Sequence, residues 1–248
     1  TVLLAACAHS GPRNALATWV PSKNFDERRP VVIVLHYTEQ DSVEQSLDTL
    51  RSRNSGGRVS SHYLLGKDGK IYQLVSDAKR AWHAGAGRWG AITDVNNASI
   101  GIEIDNDGKS PFPDAQIDSL IVLLRDLTQR LRIPTTQIIG HSDLAPSRKI
   151  DPGPLFPWKR LADAGIGIWP EPNAVARQQA FFSVNPPSVS WYQQELARFG
   201  YAIAQTGELD VATRHVIAAF QMRFRPQRFD GMPDAQTAAM LQVLNRMR

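Results

Sequence analysis

His36 closes the apolar run VVIVLHYT, Glu103 interrupts SIGIEI, and His141, Lys149 and Asp151 fall within GHSDLAPSRKIDPGP. Two imidazoles and a carboxylate can fill three positions of a catalytic zinc and leave the fourth for water. A nearby carboxylate can then move a proton and a cation can stabilise an oxyanion, which together make hydrolytic chemistry. Spacing alone leaves alternatives. His36 taken singly equally suits a hydrogen-bonded structural histidine at a strand end. His141 and Asp151 lie in a Pro/Gly-rich segment that cannot be one helix, so a shared ion must join loops far apart in the chain. Lys149 and Asp151 flank Ile150, and on an extended backbone both point to one face. They are there either a surface ion pair or a metal ligand beside an oxyanion-stabilising cation. Glu103, between Ile102 and Ile104, either leaves an edge strand for solvent or enters a cleft, where burial raises its pKa and a cation lowers it. Asp105 is the rival carboxylate on the same strand, but it leads into the polar turn DNDGK.

The elements that must position these residues are legible from pattern. The β-branched run up to His36 predicts a buried central strand with the histidine at its carboxyl end, where ligands commonly sit in α/β sheets. DSVEQSLDTLRSRN carries Val43, Leu47 and Leu50 at helical spacing behind a Ser42-to-Gln45 capping pattern, and breaks at Gly56 and Gly57. SHYLLG and KIYQLV flank a turn at Asp68 and Gly69 and predict a hairpin. Ser99 to Ile104 predicts another buried strand. Pro113 and Asp114 open a long amphipathic helix carrying Ile117, Leu120, Ile121, Leu124, Leu127 and Leu131, stopped near Pro134. Ile138 and Ile139 predict a short strand that delivers His141. The fold class is therefore α/β, a central mixed sheet flanked by helices.

At 248 residues the chain suits one full domain plus a smaller one. Prolines 170, 172, 186 and 187 bracket a connector over 171–187, in which AVARQQAFF has a helical pattern suited to packing on the first domain. Beyond it, two similar phrases begin at Gly207 and Gly231, each placing an aspartate cap (Asp210, Asp234) before a threonine (Thr213, Thr237). With a helix over Val189 to Phe199 ended by Gly200, they predict a small three-helix unit over 188–248. Its apolar residues, Phe220, Met222 and Phe224 among them, are expected to form core.

Hydrophobic residues at 42% and charged residues at 21% are those of a globular protein, with no apolar run long enough for a membrane-spanning helix. The net charge of +4 is spread along the chain without an aromatic-interleaved basic motif, so no nucleic-acid partner is expected. Cys7 is the single cysteine, which excludes an intramolecular disulfide. It ends LAAC, the order of a bacterial lipobox, and a polar Gly/Pro-containing stretch follows. Residues 1–17 are accordingly expected to be a signal-peptide remnant, a lipidation site at Cys7 and a tether. Ala8 after the cysteine favours the outer membrane, with the protein facing the periplasm.

The motifs VLHYT, SSHYLL, AWHAG, NNASIGIEI and GHSDLAPSRKIDPGPLFPW together resemble the amidase-2 family of zinc N-acetylmuramoyl-L-alanine amidases over residues 18–170. The tail resembles a peptidoglycan-binding helical domain. The resemblance implies that His36, His141 and Asp151 bind Zn2+, that Glu103 is the catalytic acid/base, and that Lys149 polarises the scissile carbonyl. It implies hydrolysis of the amide between the lactyl group of N-acetylmuramic acid and L-alanine of the stem peptide. Peptidoglycan and muropeptides are the implied partners, and a monomer is expected. Tyr37, His62, Trp82, His83 and Asn97 are the candidate substrate contacts, with a structural role competing for His62 and core packing for Trp82. A recognition protein that binds muropeptide on the same fold without cleaving it would have lost a metal ligand, and none is lost here. A phage-type lytic amidase shares the chemistry but would carry no lipobox.

Overall fold

The computed structural model describes residues 14–23, 28–54 and 57–248. Its strands are β1 (Thr18–Trp19), β2 (Val32–Tyr37), β3 (Arg53–Asn54), β4 (Gly57–Arg58), β5 (Tyr63–Leu65), β6 (Ile71–Gln73), β7 (Ser99–Ile104) and β8 (Ile138–Gly140). β3 and β4 form a separate antiparallel pair, and the other six make one mixed sheet in the order β1-β6-β5-β7-β2-β8. Only the β5/β6 hairpin is antiparallel within that sheet. β2 and β7 are interior strands paired in parallel, in keeping with the apolar run Val32–Leu35 of β2 and the three isoleucines of β7. Their register sets His36 beside Glu103.

The helices are α1 (Val43–Arg51), α2 (Val95–Ala98), α3 (Asp114–Leu131), α4 (His141–Leu144), α5 (Trp158–Asp163), α6 (Pro172–Val184), α7 (Val189–Phe199), α8 (Val211–Phe224) and α9 (Ala235–Asn245). Ser42 caps α1 by accepting from the Gln45 amide at 3.2 Å. α3 covers one face of the sheet. Its Ile117, Leu120, Leu124 and Leu127 pack on Ile33, Leu35, Ile100, Ile102 and Ile104. Val32, Val34 and Ile139 point the other way and share a core with Val175, Leu196, Phe220 and Leu244 of the C-terminal helices. α1 covers a further part of that second face, with Leu50 against Leu64 and Leu74. Since side chains alternate along a strand, His36 follows Val32 and Val34 onto this second face, and Glu103 opposes its isoleucine neighbours and joins it.

The C-terminal unit repeats one hydrogen-bonding device. Gln193 donates to Thr213 Oγ1 at 2.9 Å and accepts from the Gly207 amide at 2.8 Å. Gln221 does the same with Thr237 at 3.0 Å and Gly231 at 3.0 Å. Asp210 and Asp234 cap α8 and α9 through the Thr213 and Thr237 amides, both at 2.7 Å. The segment expected to connect the two units differs from its sequence reading. The helical pattern is there as α6, but α6 packs chiefly on α9 of the C-terminal unit. Val175 and Phe182 are its buried residues, and both lie in the core that the C-terminal helices share with Val32, Val34 and Ile139 of the sheet. Among the described residues no helix is long and apolar enough to cross a membrane, and Cys7 lies outside them.

Candidate functional site

His36 leaves the carboxyl end of β2, His141 opens α4 directly after β8, and Asp151 follows in the loop beyond α4. The Asp151 carbonyl accepts from the Ser142 amide at 2.9 Å, which ties the loop back to the start of the helix. Three side-chain atoms converge. His36 Nδ1 is 3.0 Å from His141 Nδ1 and 2.9 Å from Asp151 Oδ2, and His141 Nδ1 is 3.0 Å from that oxygen. All three residues are buried.

Hydrogen bonds on the far side of each ring decide what this triangle can hold. His141 Nε2 donates to the Ala84 carbonyl at 2.9 Å, so a neutral His141 has a lone pair on Nδ1. Ser99 Oγ donates to the Val95 carbonyl at 2.6 Å, so at 3.0 Å it accepts from His83 Nε2. His83 Nδ1 then accepts from His36 Nε2 at 2.9 Å, which leaves His36 Nδ1 with a lone pair too. Burial, reinforced by His141, lowers the His36 pKa to about 4, so the ring is neutral at neutral pH. Two nitrogen lone pairs and a carboxylate oxygen facing one another repel unless a cation sits among them. Donors on a tetrahedral zinc at about 2.0–2.1 Å lie roughly 3.3 Å apart, close to the edges of this triangle. The donor set therefore fits a single metal ion.

The triangle floors a cleft of about 490 Å³ whose wall includes Tyr37, Trp82, His83, Glu103, Arg148 and Lys149. Glu103 is on an interior strand, so of its two expected destinations the cleft is the one it reaches. Its Oε2 is buried and has no hydrogen-bond partner among the described residues. Burial pushes its pKa well above the usual carboxylate range, Asp151 adds to this, and Lys149 opposes it. Burial likewise raises the Tyr37 hydroxyl to about 12. Two candidate contacts lie elsewhere. His62 is fully buried, accepting from the Gly101 amide at 2.9 Å through Nδ1 and reaching the Lys79 carbonyl through Nε2, and it is not part of the cleft wall. Asn97 is an exposed residue of α2, also outside that wall.

The family described as Amidase_2, N-acetylmuramoyl-L-alanine amidase, matches residues 26–154. N-acetylmuramoyl-L-alanine amidase AmiD of Escherichia coli is 41% identical over 231 residues, 86% of this chain and 81% of that protein. This chain belongs to the Amidase_2 family. A solved complex of the E. coli amidase AmiD with the substrate anhydro-N-acetylmuramic acid-L-Ala-D-γ-Glu-L-Lys is similar at TM-score 0.79 and 38% identity, over 95% of this chain and 93% of that one. AmpDh3 of Pseudomonas aeruginosa is similar at TM-score 0.81 and 31% identity, over 97% of both chains. A putative peptidoglycan binding domain matches residues 185–241.

Sequence reasoning missed two residues that build this amidase's site. Asn96 Oδ1 accepts from the His83 amide at 3.0 Å and the Ala84 amide at 2.9 Å, holding the loop that carries both partners of the ligand histidines. Arg148 donates to the Ala84 carbonyl at 2.6 Å from the other side. Asn96 adjoins Asn97 in NNAS and Arg148 adjoins Lys149, so each was one position from a residue singled out by type. No local pattern distinguishes them, because their partners are distant in the chain.

Proposed function

We propose that this amidase hydrolyses the amide between the lactyl group of N-acetylmuramic acid and L-alanine with a zinc ion held by His36 Nδ1, His141 Nδ1 and Asp151 Oδ2. The observation that carries this reading is the triangle of three lone-pair donors at the floor of a cleft, with Glu103 on its wall, one carboxylate oxygen buried and unpartnered among the described residues. Zinc there supplies Lewis acidity, lowering the pKa of water from 15.7 to about 7 and polarising a carbonyl. Glu103 accepts the proton of the attacking water and returns it to the departing alanine nitrogen, a task suited to a carboxyl whose pKa burial has raised. Lys149 meets the negative charge that develops on the lactyl oxygen. Tyr37, Trp82 and His83 contribute the wall against which sugar and peptide lie. The likeness to a solved amidase complex with an anhydromuramyl tripeptide supports a muropeptide of this type as substrate.

On this reading residues 18–170 form the catalytic domain and 188–248 bind the wall polymer, the role suggested by the matching family. The LAAC sequence supports attachment through Cys7 to the outer membrane, facing the periplasm. Mass spectrometry of the native protein tests this by detecting diacylglycerol on Cys7. The metal assignment is tested by removing bound metal with a chelator and following release of the stem peptide from a defined anhydromuropeptide. Activity is expected to vanish and to return on adding zinc. Full turnover by the metal-free protein would end the assignment.

A further inference from the structure

α4 is one helical turn, too short to hold His141 in place by itself. Bonds within the amidase domain, from the Ser142 amide to the Asp151 carbonyl and from the Arg88 amide to the Leu144 carbonyl, supply part of its hold, and the rest comes from the C-terminal unit. Asp143 reaches back to accept from the Gly140 amide at 2.8 Å, closing the turn that begins at His141. That carboxylate is buried and is held from the C-terminal unit. Arg223 of α8 donates from Nη1 to Asp143 Oδ2 at 2.7 Å and from Nη2 to the Ile138 carbonyl at 2.9 Å, so one guanidinium spans β8 and α4. The Trp158 ring lies against it at 4.2 Å. Tyr201 donates to the other oxygen, Asp143 Oδ1, at 2.6 Å. The C-terminal unit also grips the loop that receives His141 Nε2. Gly90 in that loop donates to the Gly200 carbonyl at 2.7 Å, and Trp89 meets the Tyr201 ring edge-on at 5.2 Å.

We propose that the C-terminal unit is a positioning element of the metal centre, acting through Arg223 and Tyr201 on Asp143 and so on His141. The inference rests on the reading of His141 as a metal ligand. Arg223 and Tyr201 belong neither to the cleft wall nor to the three metal-donor residues. They fix the helix and the loop between which the His141 ring is clamped, so that Nδ1 is already aimed when an ion arrives. A peptidoglycan-binding module tethered only for affinity would have no such contact.

The test uses the full chain and the variants R223M, R223K and Y201F. Zinc affinity is read by competition with a chromophoric chelator, ligand geometry by the visible spectrum of the cobalt(II)-substituted protein, and folding by circular dichroism. R223M is expected to bind zinc roughly ten- to a hundredfold more weakly, the range for altered outer partners of metal ligands, with shifted cobalt bands. Y201F should show a smaller change in the same direction, and R223K, which keeps the charge, should recover most of the affinity. A folded R223M with the parent's zinc affinity and cobalt spectrum overturns the proposal, even if it melts earlier. Should R223M not fold because Asp143 is left buried and unpaired, the double variant R223M/D143N removes that charge, and the same two outcomes apply to it. H141A separates this proposal from the ligand assignment. If H141A binds zinc as tightly as the parent, the ligand reading fails; if only H141A loses zinc, the positioning role fails and the ligand reading stands.

Discussion

Glu103 is costly where it stands, a carboxylate in an interior strand with one oxygen unpartnered. A group kept there against its own solvation is a candidate for proton transfer, and replacement separates that task from its effect on folding. Glu103→Gln is expected to lower turnover by about a hundred- to ten-thousandfold while metal analysis still finds bound zinc. In the metal-free protein the same change should stabilise the fold. The unfolded chain releases this proton near 4.5, whereas the folded state keeps it to higher pH. The folded state therefore binds more protons across that interval, and stability falls as pH rises through it. The melting temperature of metal-free Glu103→Gln should exceed the parent's by a margin that widens from about pH 5 to about pH 7. A constant margin would mean that Glu103 ionises in the folded protein as it does in the unfolded one. Lys149→Ala is expected to lose about a hundred- to a thousandfold in rate at near-unchanged zinc content, and a loss below tenfold would remove Lys149 from the chemistry. Glu103 stood out in the sequence because a carboxylate is rare in an apolar strand, whereas Lys149, in a polar Pro/Gly loop where charged residues are common, took its expected role from the family motif around it. His83 was legible as a motif residue but not as the partner of His36, since the two are far apart in sequence and meet only through the sheet.

Strand β7 was readable from its alternating isoleucines, but its glycine carries a requirement that the alternation hides. A Cβ at Gly101 would lie 2.4–2.7 Å from three atoms of the His83 ring, closer than such contacts occur. His83 cannot retreat without losing Ser99 on one side and His36 on the other. Gly101→Ala is therefore expected to destabilise by about 1–3 kcal/mol, as overpacking does, and to weaken zinc binding roughly ten- to a hundredfold. Denaturation and chelator competition measure the two effects, and parent-like zinc affinity would show that the His83 bond does not set the His36 tautomer. Elements defined by their own periodicity or caps, such as β2, α3 and α7, were recoverable from the chain alone. α4 was not. It is a single turn made by the Asp143 bond to Gly140 and by contacts from distant segments, and no periodic pattern can announce it. α6 was visible as a helix, yet its partner α9 was not, because a helical stripe states that a face is apolar without stating which surface it meets.

For the whole molecule, the apolar core decides whether the C-terminal unit is an appendage. Val32 and Val34 of β2, Ile139 of β8, Trp89 and Leu144 are almost fully buried in one core with α6 to α9. Gly200, which ends α7 at φ 131°, lies so close to Trp89 that a Cβ there would come within 2.6 Å of the indole. Burying a large aliphatic or aromatic side chain contributes roughly 1.5–3 kcal/mol. Exposing five at once thus approaches the about 5–15 kcal/mol of net stability typical of a domain. Removing residues 171–248 should consequently leave an amidase domain that is largely unfolded or aggregated, and not one that has merely lost affinity for the wall. Calorimetry of the full metal-free chain should show one cooperative transition, and limited proteolysis should release no stable fragment ending near residue 170. Two resolved transitions, or a soluble truncated domain that binds zinc and turns over a small muropeptide at the parent's rate, would show that the two units fold separately. That outcome would also mean that the contact between Arg223 and Asp143 joins two finished domains.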